Sequence, residues 1–309
     1  YTSGASESNN LAIKGIAQAS RNTGRHMIST VLEHASVGGT LTALQQQGRE
    51  VDLLDIQRDG TIDLEQLGDL LRKDTILVSV CAVDSELGTV QPIRKITEIL
   101  KDFPNCRLHV DATQAIGKTE LVMDGVDTMS IAPHKFYGLN GSGLLLKKSS
   151  LIIEPQTHGG SSTTPYRSGT PALALAVSIE KALQLTLTQQ EERIRYVRQL
   201  NEYLKTALLH YPAVRINSPE GAVPHILNLS VQGLKGTVFQ RVLSERGVCV
   251  SVKSACSAEG TPSKAVFAVS GDRKNALSSW RVSLSHLTTR EELDEFLQVF
   301  DQCYKELGP

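Results

Sequence analysis

The sequence has no CxxC pair, no surplus of basic charge and no long apolar run, and each absence argues against a class of protein. Its five cysteines, Cys81, Cys106, Cys249, Cys256 and Cys303, are odd in number and scattered. That pattern argues against a disulfide scaffold and a metal site, and for a reducing cytosol. Any functional cysteine would act as an individual thiol. Lys and Arg number 32 against 33 for Asp and Glu, so the charge balance gives no sign of a nucleic-acid partner. No run approaches the roughly 20 apolar residues of a membrane span. The opening YTSGASESNN has neither a basic nor an apolar stretch of the kind a signal peptide needs. There is no internal repeat and no low-complexity linker. Tyr1 reads as the end of an apolar strand, so a preceding N-terminal segment is expected to be missing from the chain.

What is present is an ordinary globular composition, with 309 residues, 40% of them hydrophobic. That length calls for a large α/β domain or for two domains. Strand-like and helix-like stretches alternate. LAIKGIAQASR (11–21) reads as a helix, HMISTV as a strand, and SVGGTLTALQQQG as a helix that Gly48 could end. EVDLLDI looks extended. Asp63 could cap the helix that follows, with Gln66 completing a capping box. TILVSVCAV is a β-branched strand of the buried kind. Pro92 suits the first turn of PIRKITEILKD, and CRLHV, VDTMSI and SGLLLKK follow. The alternation predicts βαβ units and a mostly parallel sheet. From about 171 to 210 a long, interrupted helical stretch leads out of this region. Beyond Pro212 come HILNLSV, VFQRVLSERG, VCVSV and the amphipathic TREELDEFLQVFDQCYKEL. The expected division is a large domain over 1–190 and a smaller α+β domain over 191–309.

The most informative segment is RLHVDATQAIGK followed by MSIAPHKFYG. One apolar run ends on Asp111, with Gln114 three residues on. A second leads into His134-Lys135 and then into Tyr137-Gly138. A carboxylate at a strand end and a lysine in a tight loop downstream suit pyridoxal phosphate (PLP). The amine can form a Schiff base with the cofactor aldehyde, while the carboxylate keeps the pyridine nitrogen protonated. Other stretches could complete such a site. TSGASESNN sets hydroxyls and small residues before a helix, a natural phosphate cradle. His34 lies just past a strand, where an imidazole could stack on a ring or move protons. RSGTP (167–171) carries a charge, hydroxyls and a glycine. Arg281, on a strand-like run, could grip a carboxylate with its guanidinium fork. Cys256 lies in VKSACSAEGTPSK, a small-residue polar loop where a reactive thiol belongs, with Lys253 placed to favour the thiolate. Cys81, Cys106 and Cys249 fall in apolar strand-like runs and Cys303 in the last helix, as core thiols do.

Taken in order, TSGASESNNLAIKG, LEH, ELGTVQPI, HVDATQAIGK, the HK-YG loop, HGG with RSGTP, SACS and R-x-S-L resemble the NifS-type cysteine desulfurases. These belong to the class V aminotransferase group of fold-type I PLP enzymes. The resemblance implies an α/β fold with a mostly parallel sheet of the seven-stranded type and a smaller C-terminal α+β domain. It implies that Lys135 is the Schiff-base lysine, that Asp111 pairs with the pyridine nitrogen, and that Gln114 contacts the ring oxygen. His34 would stack on the ring and take part in catalysis. Ser6 and His134 would bind phosphate, with Thr170 reaching in from the partner subunit of a homodimer. Arg281 would hold the carboxylate of L-cysteine. Cys256 would take the sulfur as a persulfide, release alanine and pass the sulfur to an acceptor such as an iron–sulfur scaffold protein, in the cytoplasm. Three positions in two motifs depart from the usual pattern. The sequence reads VDSE, with Asp84 and Ser85, where V-N-N-E is usual, and Ala132 replaces a phosphate-binding serine, although Ser130 remains. A selenocysteine lyase, another class V aminotransferase and a non-catalytic, partner-binding relative are the competing readings.

Overall fold

The computed structural model describes residues 1–161, 163–253 and 260–308, and the chain divides into two compact units. The first comprises Tyr1–Asp55, Ile62–Val83 and Gln91–Thr188; the second, Ile56–Thr61, Asp84–Val90 and Gln189–Pro309. The second unit therefore takes two short segments from within the first half of the sequence.

In the first unit the strands are β1 (His26–Thr30), β2 (Glu50–Leu54), β3 (Thr75–Cys81), β4 (Arg107–Asp111), β5 (Thr128–Ile131) and β6 (Leu144–Lys147). The helices are α1 (Ala5–Ala19), α2 (Ala35–Gln45), α3 (Leu64–Leu70), α4 (Ile93–Ile99) and α5 (Leu173–Thr188). The strands form one sheet in the order β2-β1-β3-β4-β5-β6, parallel except for the last pair. Six strands are present among the described residues, one fewer than the seven-stranded type expected. The run SGLLLKK closes the sheet as the antiparallel edge β6. Every residue of β3 is buried, as a central parallel strand covered on both faces requires. Helix α1 packs across β3 to β6, and its Leu11, Ile13 and Ile16 join Met27, Ile76 and Leu77 in one core.

Helix α1 starts at Ala5, six residues before the sequence suggested. Gly4 precedes it, and Glu7 reaches back from the first turn to accept from the Ser3 amide at 2.7 Å. Ser6, Ser8 and Asn9 therefore lie inside the helix rather than before it. Asp63 caps α3 through the amides of Glu65 and Gln66, but the capping box does not close. The Asp63 amide donates instead to the Asp55 carbonyl, and the Gln66 side chain accepts from the Asp55 amide at 2.6 Å.

The second unit contains α6 (Gln190–Leu208), β7 (Val214–Ile216), β8 (Ile226–Val231), α7 (Gly236–Ser244), α8 (Lys264–Ser270), α9 (Arg273–Ser278), β9 (Ser279–Ser283) and α10 (Arg290–Leu307). Its three-stranded antiparallel sheet runs β7-β8-β9. The expected strand VCVSV does not form. The Val248 amide donates to Leu243 at the end of α7, and only Ser251 bridges to Arg281. Cys249 is consequently exposed rather than a core thiol, while Cys81, Cys106 and Cys303 are buried. Thr289 and Glu292 close a true capping box on α10. An aromatic cluster fills this core, with Phe239 stacked on Trp280 at 5.3 Å and Phe300 5.3 Å from Phe239. Phe300 and Trp280 are both fully buried. Truncating Phe300 to Ala should cost about 3–5 kcal/mol. The sequence has one tryptophan, Trp280, so its fluorescence in a urea titration reports this unit, and the variant's midpoint should fall well below that of the parent.

Candidate active site

Three of the expected site segments follow the carboxyl ends of parallel strands of this one sheet. His34 caps α2 just after β1, Asp111 ends β4, and His134-Lys135 form a short 3₁₀ turn after β5. The β4–β5 register sets Asp111 opposite Ser130, and the β3–β4 register sets Cys81 opposite Asp111. The carboxyl edge of an open parallel sheet is where ligands bind, because the loops there diverge and expose strand-end side chains.

Asp111 is 5% exposed, and its two oxygens are held separately. Oδ1 accepts from the Thr113 amide at 3.0 Å and Oδ2 from Asn9 Nδ2 at 2.8 Å. Asn9 also donates to Ser36 Oγ at 2.9 Å, and Ser36 Oγ lies 2.8 Å from His34 Nδ1. His109, two residues before Asp111, spans Asn9 Oδ1 at 3.0 Å and Thr128 Oγ1 at 2.9 Å. Burial pushes its pKa down to about 4, against the opposing charge of Asp111, so the ring is neutral at physiological pH. Gln114 is half-buried, and its side-chain oxygen accepts from Lys118 Nζ at 2.6 Å. Its amide nitrogen is thus the end suited to donate to a ligand.

Lys135 and His134 are exposed on their turn. Partial burial and then the Lys135 charge lower the His134 pKa. The turn is tightly constrained. Tyr137 adopts a positive φ of 70°, which costs a non-glycine residue about 1–2 kcal/mol. The Gly138 amide folds back onto the Pro133 carbonyl at 2.9 Å, and a Cβ on Gly138 would lie 2.7 Å from Pro133 Cβ.

The N-terminus of α1 is open, because Gly4 has no side chain to cap it. The first helical amides point outward with no acceptor inside the helix, and the exposed Ser6 sits among them. Thr2 bridges to Gly143, where a Cβ would lie 2.4 Å from the Gly4 carbonyl carbon. Arg167 pairs with Glu7 at 2.8 Å. Burial pushes the Glu7 carboxyl up, but hydrogen bonds from Arg167 and Ser3 outweigh it and hold the pKa below its ordinary value. Thr170 lines a cleft of about 160 Å³ together with Thr2, Ser3, Ser142 and Arg167. Ser130 is fully buried, and among the described residues its hydroxyl has no hydrogen-bond partner.

Arg281 lies in the second unit, on β9. Its Nη1 donates to the Ser85 carbonyl at 2.5 Å, and its buried Nε has no partner among the described residues. Burial lowers its pKa, and the carboxyls of Glu86 and Asp84 act against that. Asp84 accepts from the Glu86 and Leu87 amides. Burial pushes its pKa up to about 7, with the Glu86 charge adding to the shift. Lys253 Nζ donates to the Thr261 carbonyl at 3.1 Å and its hydroxyl at 2.6 Å. Cys256 lies outside the described residues. Among the described residues, no cluster of His, Cys, Asp and Glu could hold a metal ion, and no helix is long and apolar enough to cross a membrane.

Residues 1–296 match the Aminotransferase class-V family. The chain belongs to that family. A NifS/IcsS protein homolog from Lactobacillus delbrueckii subsp. bulgaricus is 39% identical over 311 residues, covering 99% of this chain and 81% of that protein. Cysteine desulfurase IscS from Dictyoglomus turgidum is 34% identical over 312 residues, covering 99% and 79%. Among solved structures, a NifS-like protein superposes with a TM-score of 0.92 at 31% identity, covering 99% of this chain and 82% of that one. SspA in complex with cysteine superposes with a TM-score of 0.80 at 30% identity, covering 93% and 81%. The chain is therefore a class-V protein of NifS type, with the mixed α/β fold and largely parallel sheet of fold type I.

For this class-V chain, sequence reasoning missed Asn9, Ser36, His109 and Glu33 as members of the site. Their polarity beside the motif residues was a signal, but one shared with any capped helix. Glu33 precedes His34. Its Oε1 accepts from the Cys81 amide and Thr30 Oγ1, both at 2.9 Å, while the buried Oε2 has no partner among the described residues. Burial pushes its pKa from 4.5 up to about 8. The folded state then binds a proton that the unfolded chain has released. The stability this supplies is complete below pH 4.5 and is lost as pH rises toward about 8. Glu33→Gln should remove that dependence. In urea titrations at about pH 5.5 and about pH 8, the variant should gain on the parent at the higher pH, because each tenfold gain in proton affinity on folding is worth about 1.4 kcal/mol.

Proposed function

We infer that this NifS-type chain is a cysteine desulfurase working with pyridoxal phosphate. The observation that carries the reading is the row of His34, Asp111 and the His134–Lys135 turn along the carboxyl edge of the parallel sheet, with α1 tied to Asp111 through Asn9. The residues fit the cofactor. Among the described residues each Asp111 oxygen accepts one hydrogen bond, which leaves it capacity for the pyridine nitrogen. The outward amides of α1, the Ser6 hydroxyl and His134 would hold the phosphate. Lys135 would hold the aldehyde carbon, the Gln114 amide the ring oxygen, and His34 the ring face. Thr170 would add its hydroxyl from the second subunit of a homodimer; exposed Leu173, Val177 and Leu187 on α5 suit burial between two copies. When bound, the cofactor supplies an electron sink for the substrate Cα.

Arg281 would grip the L-cysteine carboxylate, with Nη1 already fixed by the Ser85 carbonyl. Lys135 Nζ would remove the Cα proton. The Cys256 thiolate would then attack the substrate sulfur. The carbon–sulfur bond breaks and a sulfur–sulfur bond forms, leaving a persulfide on Cys256 and, once carbon is reprotonated, alanine. Support for Cys256 comes from the polar small-residue loop and the family motif around it. The persulfide would pass to an acceptor protein such as an iron–sulfur scaffold, and the scattered cysteines fit a cytoplasmic setting.

Three measurements test this. Added PLP should give a visible absorption band that L-cysteine shifts and that Lys135→Ala removes; a flat spectrum from the parent protein would sink the cofactor assignment. Cys256→Ala should retain the band and form no persulfide; full sulfide release by that variant without added reductant would refute the cysteine's role. Arg281→Ala should raise KM for L-cysteine about tenfold to a hundredfold, measured as alanine formed from cysteine and, in parallel, from selenocysteine.

A further inference from the structure

The chain of hydrogen bonds running from Thr128 through His109, Asn9 and Ser36 to His34 has only one consistent placement of protons. A carboxylate only accepts. Asp111 Oδ2 therefore requires the nitrogen of the Asn9 amide, 2.8 Å away. That turns Asn9 Oδ1 toward His109 Nε2, which must carry the ring's proton. His109 Nδ1 is left to accept from Thr128 Oγ1. The second hydrogen on Asn9 Nδ2 goes to Ser36 Oγ. Ser36 has one hydroxyl hydrogen, and it points at His34 Nδ1. The Ser36 backbone amide, which can only donate, lies 3.1 Å from the same nitrogen. Two donors aimed at Nδ1 make it an acceptor, so His34 keeps its proton on Nε2.

We propose that Asn9 and Ser36 are positioning residues that couple the Asp111 carboxylate to His34 and fix His34 as the neutral Nε2–H tautomer before any cofactor binds. The inference deepens the PLP reading and rests on it for its chemical meaning. Asn9 is fully buried in the second turn of α1, and it uses both amide hydrogens and its oxygen on site side chains. One residue thus orients the group meant for the ring nitrogen and the group meant for the ring face. In this state His34 Nε2 can give a proton but cannot take one. Removal of the substrate Cα proton then falls to Lys135, and His34 serves as a donor.

The test begins with cofactor-free, full-length protein labelled with ¹⁵N-histidine, in long-range ¹H–¹⁵N NMR. His34 and His109 should each show the pattern of a single Nε2–H tautomer. A proton on Nδ1 of either ring would overturn the proposal. Asn9→Ala should move the His34 ring nitrogen resonances although residues 9 and 34 share no direct hydrogen bond. In a Ser36→Ala background the same change should move them no further. If Asn9→Ala leaves His34 unmoved, or moves it equally without the Ser36 hydroxyl, the coupling does not exist. Should Asn9→Ala fold poorly, the parent's tautomers and the Ser36→Ala spectrum still decide the matter. A PLP absorbance titration should show binding weakened about tenfold in Asn9→Ala, and undiminished binding would count against its hold on Asp111. Absence of a PLP band in the parent would overturn the cofactor reading separately, because the tautomer measurement needs no cofactor.

Discussion

A carboxylate taken out of water has to be hydrogen-bonded, and that requirement at Asp111 organises the larger unit. The side chain ends a central strand, so water cannot satisfy it. The Thr113 amide reaches one oxygen because the chain turns immediately after β4, and the other oxygen needs a donor from elsewhere. Helix α1 supplies it through Asn9, and so α1 must cross the sheet where it does. The same crossing fixes where the open helix end sits and brings Gly4 against Gly143, an approach that only glycine at position 143 permits. The open helix end and the Asn9 bond to Asp111 thus lie within the first two turns of one helix, whose register is set by that buried hydrogen bond.

The parts of this site that were legible in the sequence are those announced by a change in pattern. An apolar run that stops at Asp111, another that stops before His134-Lys135, and a histidine just beyond a strand are all strand ends, and a strand end shows in hydropathy. Asn9, Ser36 and His109 carry no such mark. Asn9 meets partners 102, 27 and 100 residues away, and nothing local separates it from an ordinary capping residue. VCVSV misleads for the opposite reason. Its composition is that of a strand, but its pairing with β9 stops at the Ser251–Arg281 bridge, and the Val248 amide turns back to α7 instead. The helical interruption near residue 189 could be read from the sequence. The assignment of 56–61 and 84–90 to the other unit could not, since neither segment differs in composition from its neighbours.

Asp84 shows how a departure from a family pattern can leave the chemistry close to what it replaces. Where asparagine is usual, the sequence has an acid beside Arg281 and Glu86. Burial and the Glu86 charge carry its pKa to about 7. A protonated aspartic acid has one hydroxyl and one carbonyl oxygen on the frame where asparagine has an amide. Near neutral pH much of the population is therefore close in shape and charge to the residue it replaces, and the Arg281 guanidinium is spared a full second negative charge.

The smaller unit is not an exchangeable module. Ser85 and Glu86, from a segment that leaves the sheet after β3, accept from Arg281, Asn228 and Ser263, and the Gly88 carbonyl accepts from the Val223 amide. A fragment cut at residue 189 would keep its three-stranded sheet and aromatic core while stranding each of those donors. Recombination between relatives at the helix break would meet the same obstacle, because a C-terminal half from one parent would have to find its acceptors in residues 84–90 of the other. The chain is cut in two by its contacts but not by its sequence, so the smaller unit is completed only by segments that lie within the span of the larger one.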